Sequence, residues 1–486
     1  MKQITDCFHR KERPVRLIQF GEGAFLRAFV DDMIDRANEK GLMDCGVAVI
    51  KPRPGELDAF KRQDNLYTVS LRGKQNGKAS VENRVVTCIQ QAIDCYAEYD
   101  AFMALAGLDT LQMVVSNTTE AGIVFDETER FEDTPPNTYP GKLTKFLYER
   151  YRTFSGAEQK GLFIIPVELI ERNGEKLKAC VLDFARLWKL GADFERWVEN
   201  ANTFCSTLVD RIVTGYPQKD AEAICAELGY EDVLLDAAEP FALWVIESGR
   251  DLSGILPLDK AGLPVLFTGN QRPYRERKVR ILNGAHTSSV LAAYLAGKEI
   301  VRGAMEDPLI RAFMERAVLD EIVPTVPQLR EEAAAFAEQV FERFENPFVD
   351  HAILSIALNS VSKWRARVLP SLRESLAANG CLPQLLTFSL AALLAFYTSQ
   401  RLENGALIGM REGERYEIHD DLPVLECFAA NSGKPSGEFV PAILSRTDFW
   451  GEDLTTLPGF TDAVAGYLED MRQNGMRAAL EHVLST

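Results

Sequence analysis

The chain has 486 residues, 46% apolar and 26% charged, an ordinary balance for a soluble globular protein with room for two or three domains. A formal net charge of −17 excludes a broad nucleic-acid surface, because phosphate binding needs clustered Lys and Arg. Nine cysteines stand singly, with no Cys-x-x-Cys pair and no Cys/His group at zinc spacing, so reduced thiols and a cytoplasmic protein without a metal site are expected.

In chain order, residues 1–14 are polar and mixed in charge, so no signal peptide is expected there. Residues 15–20 read as a strand, and 24–38 as a helix with Phe25, Phe29 and Met33 on one face. Strands are also predicted over 47–50, 111–116 and 162–167, in the alternation typical of a mostly parallel sheet with crossover helices. Residues 65–72 and 79–87 flank an Asn76-Gly77 turn and predict an antiparallel hairpin appended to that sheet. The segment 262–273, with its Gly269-Asn270 turn, reads as a linker. Beyond about residue 275 only helical patterns remain, over 276–297, 309–322, 326–345, 349–368 and 385–402, punctuated by Pro324, Pro347, Pro370 and Pro383. The most apolar stretch, 385–397, is about a dozen residues against the roughly 20 of a membrane span, so it reads as a buried helix. The expectation is an α/β domain over residues 1–272 and an all-helical domain over 273–486, with a small-molecule ligand between them.

Phe20-Gly21-Glu22-Gly23-Ala24-Phe25-Leu26-Arg27 sits between the first strand and its helix, where a dinucleotide turn belongs. Gly21 suits the tight turn and Gly23 the close approach of a pyrophosphate, while Leu26 occupies the place of the usual third glycine. Candidate cofactor contacts are Ile18, Gln19, Phe20, Gly21, Glu22, Gly23, Ala24, Phe25, Leu26 and Arg27, with Ser116 and Asn117 at the end of a later strand. The second strand ends in Lys51-Pro52-Arg53 rather than in the acid that would bond the ribose of NAD. Two cations there suit the 2′-phosphate of NADP or a merely solvated loop, and spacing does not choose between them.

Lys278, Asn283 and His286 fall on one side of a predicted helix. On a straight α-helix Lys278 and His286 lie about 80° apart and Asn283 about 60° beyond, over about 12 Å of axis. Ketone reduction needs a proton donor and a polariser of the developing alkoxide, which fits Lys278 and Asn283, with His286 as an orienting partner. A satisfied polar network inside a core is the bland alternative.

Gly21-x-Gly23-x-Phe25-x-Arg27, Thr119-Glu120, Val209-Asp210-Arg211-Ile212, Glu239-Pro240-Phe241 with Trp244-Val245-Ile246-Glu247, and Lys278-x4-Asn283-x2-His286 follow one another along nearly the whole chain. In that order they resemble the polyol-specific long-chain dehydrogenases, the mannitol dehydrogenase family. Residues 116–122, 204–215 and 276–287 are similar to its branch that reduces keto sugar acids. The resemblance implies a Rossmann-like N-terminal domain, a helical C-terminal domain, metal-independent hydride transfer, and NAD rather than NADP. It implies Lys278 as acid/base, Asn283 as half of an oxyanion hole, and Lys363 in Ser360-Val361-Ser362-Lys363 as a substrate contact. The second oxyanion asparagine of the polyol enzymes is replaced by Ser206, and a substrate-binding arginine by Ser355. Glu120, just after a strand end, reads as a substrate or nicotinamide contact or as a helix cap. Arg275, with Arg277 and Arg280 nearby, would clamp a substrate carboxylate or face solvent. From another class, an NADH-sensing binding protein is the rival reading; within the family, the rivals are other sugar-acid and polyol dehydrogenases. The oligomeric state is left open.

Overall fold

The computed structural model describes residues 1–75, 77–119, 121–326 and 330–485. They form two compact units, residues 1–73 with 80–271, and residues 74–79 with 272–486.

The first unit is built on six strands: β1 (Val15–Phe20), β2 (Gly46–Lys51), β3 (Ile89–Asp94), β4 (Met113–Ser116), β5 (Phe163–Pro166) and β6 (Thr203–Phe204). Their order is β3-β2-β1-β4-β5-β6, and every neighbouring pair is parallel. Alternate residues of each strand face opposite sides. Leu17, Val47, Val49, Met113 and Val115 therefore join one apolar cluster, with Phe29, Val30 and Met33 of the first helical run. Ile18, Phe20, Ala48, Ile50, Val114 and Ile164 join the other, with Phe102, Leu143 and Phe146. Burial on both faces is why these strands read as nearly continuous apolar runs. The strand order reverses direction between β1 and β4, which is where open α/β sheets bind ligands, at the carboxyl ends.

Residues 67–86 depart from expectation. Tyr67–Gln75 and Lys78–Val86 are paired, but within a separate four-stranded sheet with Val213–Gly215 and Asp236–Ala238, not in the main sheet. Asn76 of the expected turn lies outside the described residues. The segment read as a linker carries the strand Val265–Thr268, which pairs in parallel with Leu243–Glu247; that strand in turn pairs antiparallel with Ser206–Asp210.

The second unit is mainly helical. A helical run over 272–295 changes character in the middle: α-helical over Arg272–Arg277, π-helical over Lys278–Asn283, α-helical over Gly284–Leu295. Gln384–Phe396 is buried on nearly every side and packs against both Gly284–Leu295 and the C-terminal helix Phe460–Ser485. The stretch predicted as one helix over 349–368 is two, Ile353–Ile356 and Ser360–Arg367, parted by Asn359 in the left-handed region; a short amide side chain tolerates that conformation. The all-helical expectation needs one correction. Leu402–Glu403, Ala406–Arg411 and Glu414–Ile418 form a small antiparallel sheet. Among the described residues no helix is long and apolar enough to cross a membrane, and no group of three or more His, Cys, Asp or Glu could hold a metal ion.

Candidate active site

In the first unit the glycine turn leaves β1 at its carboxyl end. Gly21 has φ +123°, and a Cβ there would sit 3.0 Å from Leu26 Cδ1 and 3.1 Å from the Asn117 carbonyl. Only glycine meets both constraints. Its N–H donates to the Ile50 carbonyl at 2.9 Å, tying the turn to β2. Over Gly23 there is open space to 4 Å, where a phosphate could approach the start of the helical run. Ala24 opens that run, and Phe25 stacks on Phe29. These features fit a dinucleotide pyrophosphate.

The remaining turn residues are mostly structural. Ile18, Phe20 and Leu26 are fully buried, so they can offer a ligand only backbone. Gln19 donates through Nε2 to the Gly21 carbonyl at 3.1 Å and to Asp31 at 3.3 Å. Arg27 points inward, donating to the Leu234 carbonyl beside Asp236. Burial pushes the carboxyls of Asp31 and Asp236 up to about 7, although Tyr67 also donates to Asp31. At the turn itself, Glu22 forms an ion pair with Lys51 at the end of β2. Arg53, two residues on, is exposed.

Beyond β4, Asn117 continues the strand through its N–H to the Phe20 carbonyl at 3.1 Å. Ser116 and Thr118 are held by Glu168, just past β5. Its carboxylate accepts from Ser116 Oγ at 3.1 Å and from Thr118 N and Oγ1 at 3.0 and 2.9 Å. Burial raises Glu168 to about 7. Thr119 follows at φ +98°, a strained conformation for a β-branched residue. Sequence reasoning missed Glu168, although an acid directly after a buried strand was a usable signal. Glu120 lies outside the described residues.

Two shared motifs prove to be braces for this unit. Arg211 is buried and donates to the carbonyls of Ala28, Pro240 and Phe241, while Glu239 accepts from the Ile212 N–H at 2.6 Å. Ser206, also buried, opens the strand Ser206–Asp210 opposite Glu247.

In the second unit the π turn revises the helical geometry. Gly284 N–H reaches the Val279 carbonyl, five residues back. A straight α-helix would set Lys278 and Asn283 about 140° apart. The wider turn takes up one extra residue, roughly 100° of rotation, and so brings Asn283 back toward the side of Lys278. Both are half-buried. One turn on, the His286 ring lies 4.2 Å from that of Phe344 and 5.4 Å from that of His351, and its buried Nδ1 has no hydrogen-bond partner among the described residues. Burial holds His286 well below the usual imidazole range, helped by the positive surroundings of His351, Arg343, Arg367 and Lys363.

Lys363 donates to the Ile356 carbonyl at 2.9 Å, and burial lowers it below an ordinary lysine, with Arg367 adding to the effect. Its helix is anchored where Ser360 N–H meets Tyr397 Oη at 3.1 Å and the tyrosine donates to Asp420 at 2.6 Å. Arg367 contacts Thr287 Oγ1 at 3.3 Å. Of the arginines around Lys278, Arg277 pairs with Glu332 at 2.8 Å and Arg280 forms a two-pronged pair with Glu374 at 2.6 and 2.7 Å. Arg275 is half-buried at the end of the preceding helical turn. Ser355 lies on the short helix Ile353–Ile356 and is exposed, its hydroxyl donating to the Ala352 carbonyl at 2.7 Å.

Residues 15–260 match the model of the mannitol dehydrogenase Rossmann domain, and residues 270–472 that of the mannitol dehydrogenase C-terminal domain. An altronate oxidoreductase of Klebsiella pneumoniae (strain 342) is 45% identical over 482 residues, 98% of each chain. One of Escherichia coli (strain K12) is 44% identical over 481 residues, 97% of this chain and 98% of the other. Among solved structures, a D-sorbitol dehydrogenase superposes with a TM-score of 0.76 at 22% identity, covering 96% of this chain and 95% of its own. A Pseudomonas fluorescens mannitol 2-dehydrogenase, in a ternary complex with NAD and D-mannitol, gives 0.68 at 21% identity, over 98% and 95%. At those identities the two structures speak to the fold.

Proposed function

The chain belongs to the mannitol dehydrogenase family, and from that membership we propose that it is an NAD-dependent dehydrogenase interconverting altronate and the keto acid tagaturonate. The observation that carries the reading is the π turn at Lys278–Asn283, whose extra residue supports a shared side for that lysine and amide, one turn before His286 among cations.

Each residue then has a task. Lys278 holds at Nζ the proton that the developing alkoxide takes up during reduction, and removes it during oxidation. The Asn283 amide donates to the same oxygen, with the Ser206 hydroxyl as a second donor in place of an amide. His286, kept neutral by its surroundings, orients the reacting hydroxyl without adding charge. Lys363 and Arg275 are assigned to the substrate, and Glu120 to the substrate or the nicotinamide. The cations around His286 favour a substrate that carries a carboxylate. NAD, when bound, supplies or accepts the hydride; the glycine turn with Ser116 and Asn117 holds it. No metal ion is needed, since Lys278 and Asn283 together do what a Lewis acid would.

The test is NADH oxidation with tagaturonate, fructuronate and fructose at equal concentration. Tagaturonate is expected to be reduced fastest and fructose barely at all, because a carboxylate takes charge-assisted hydrogen bonds from these cations that a neutral ketose does not. Fructose turned over as well as either acid would reject the carboxylate argument.

A further inference from the structure

We propose that Glu22, clamped by Lys51, is the carboxylate that recognises the adenosine ribose of the dinucleotide, and that the pair rejects a 2′-phosphate. The inference rests on the dinucleotide reading above and concerns which dinucleotide is taken.

In a sheet of order 3-2-1-4-5-6 the pyrophosphate lies over the glycine turn and the adenosine ribose toward the end of the second strand. An acid at that strand end ordinarily bonds the ribose hydroxyls. Here the position holds Lys51, and no acid follows before Glu56. The missing carboxylate comes from the other side of the same crevice. Glu22 is the middle residue of Gly21-Glu22-Gly23, and its Oε1 meets Lys51 Nζ. Both side chains are largely shielded, 28% and 16% exposed.

The fold prepares the lysine for this contact. The backbone of Gly21 is tied to β2 through Ile50, the residue before Lys51. The aliphatic stem of Lys51 lies across Gly55, where a Cβ would meet Lys51 Cε at 2.7 Å. A side chain at position 55 would push Lys51 out of this arrangement.

Two consequences follow. With Oε1 occupied by Lys51, Glu22 keeps Oε2 for a ribose hydroxyl, a charge-assisted bond. The charge of Lys51 is spent on Glu22, so a 2′-phosphate would meet a carboxylate instead of a free ammonium. The basic pair Lys51 and Arg53 therefore does not amount to a phosphate site.

Dissociation constants for NADH and NADPH, from fluorescence titration or calorimetry of the full-length protein, test this without any substrate. Glu22→Gln is expected to weaken NADH about tenfold and tighten NADPH about tenfold, the scale of one charge-assisted hydrogen bond lost and one gained. Adding Lys51→Met to Glu22→Gln is expected to abolish the NADPH gain. Lys51→Met alone keeps the carboxylate, and is expected to weaken NADH severalfold without improving NADPH. If the wild type prefers NADH but its ratio to NADPH stays within twofold in Glu22→Gln, or if Lys51→Met binds NADH normally, the inference is wrong and the cofactor reading stands. If the wild type binds neither dinucleotide, or NADPH as tightly as NADH, the cofactor reading falls and this inference with it.

Discussion

The backbone N–H of Gly284 reaches the carbonyl of Val279, five residues back rather than four. That bond widens the helix where the candidate catalytic residues stand, and by the count of residues per turn it rotates Asn283 toward the side of Lys278. π turns inside α-helices recur at functional sites because they re-aim side chains without ending the helix. If Asn283 donates to the developing alkoxide, Asn283→Ala removes one such donor. Turnover is expected to fall about 10²–10³-fold, with the NADH dissociation constant little changed. Unchanged turnover in that variant would mean that the π turn serves packing alone.

Glu168 is predicted to be a positioning residue for the segment 116–119. Glu168→Ala leaves three donors of Ser116 and Thr118 without their acceptor, next to strained Thr119. The KM for NADH is expected to rise about tenfold with a smaller change in kcat, equivalent to roughly one or two lost hydrogen bonds. Glu168→Gln should recover most of the loss, since its carbonyl can still take Thr118 and the Ser116 hydroxyl can reverse. A normal KM in Glu168→Ala would show that the segment holds itself.

Asp31 gives a stability prediction with a definite sign. Its carboxyl is raised by burial to about 7, against about 4 in an unfolded chain. Between those values the folded state keeps a proton that the unfolded state has released, so stability falls as pH rises through the window. Asp31→Asn removes that contribution. The difference in Tm, mutant minus wild type, is therefore expected to grow from pH 5 to pH 8. A difference that stays constant across that range would show that Asp31 ionises normally in the folded protein.

Much of the first unit was legible because its strands are buried on both faces and announce themselves as apolar runs. β1 was readable to the residue, whereas β3 was missed: it lies at the sheet edge and carries Gln90 and Gln91, so its pattern is broken. The small sheet over 402–418 escaped for a similar reason, being short and half polar. Lys278, Asn283 and His286 were visible as a motif, but their geometry was not. A count at 100° per residue has no means of registering a π turn, and that turn decides which residues share a side. Lys51 misled for a different reason. A cation at a strand end looks free in sequence, and its partner Glu22 is 29 residues earlier on the neighbouring strand's turn.

The most direct test of the account is the turnover of Lys278→Ala measured beside its NADH affinity, because the proposal makes Lys278 the proton donor to the alkoxide and nothing else. The prediction is a loss of about 10²–10⁴-fold in the rate of tagaturonate reduction, with NADH bound within a few fold of wild type. Turnover within tenfold of wild type, at full NADH occupancy, would contradict it.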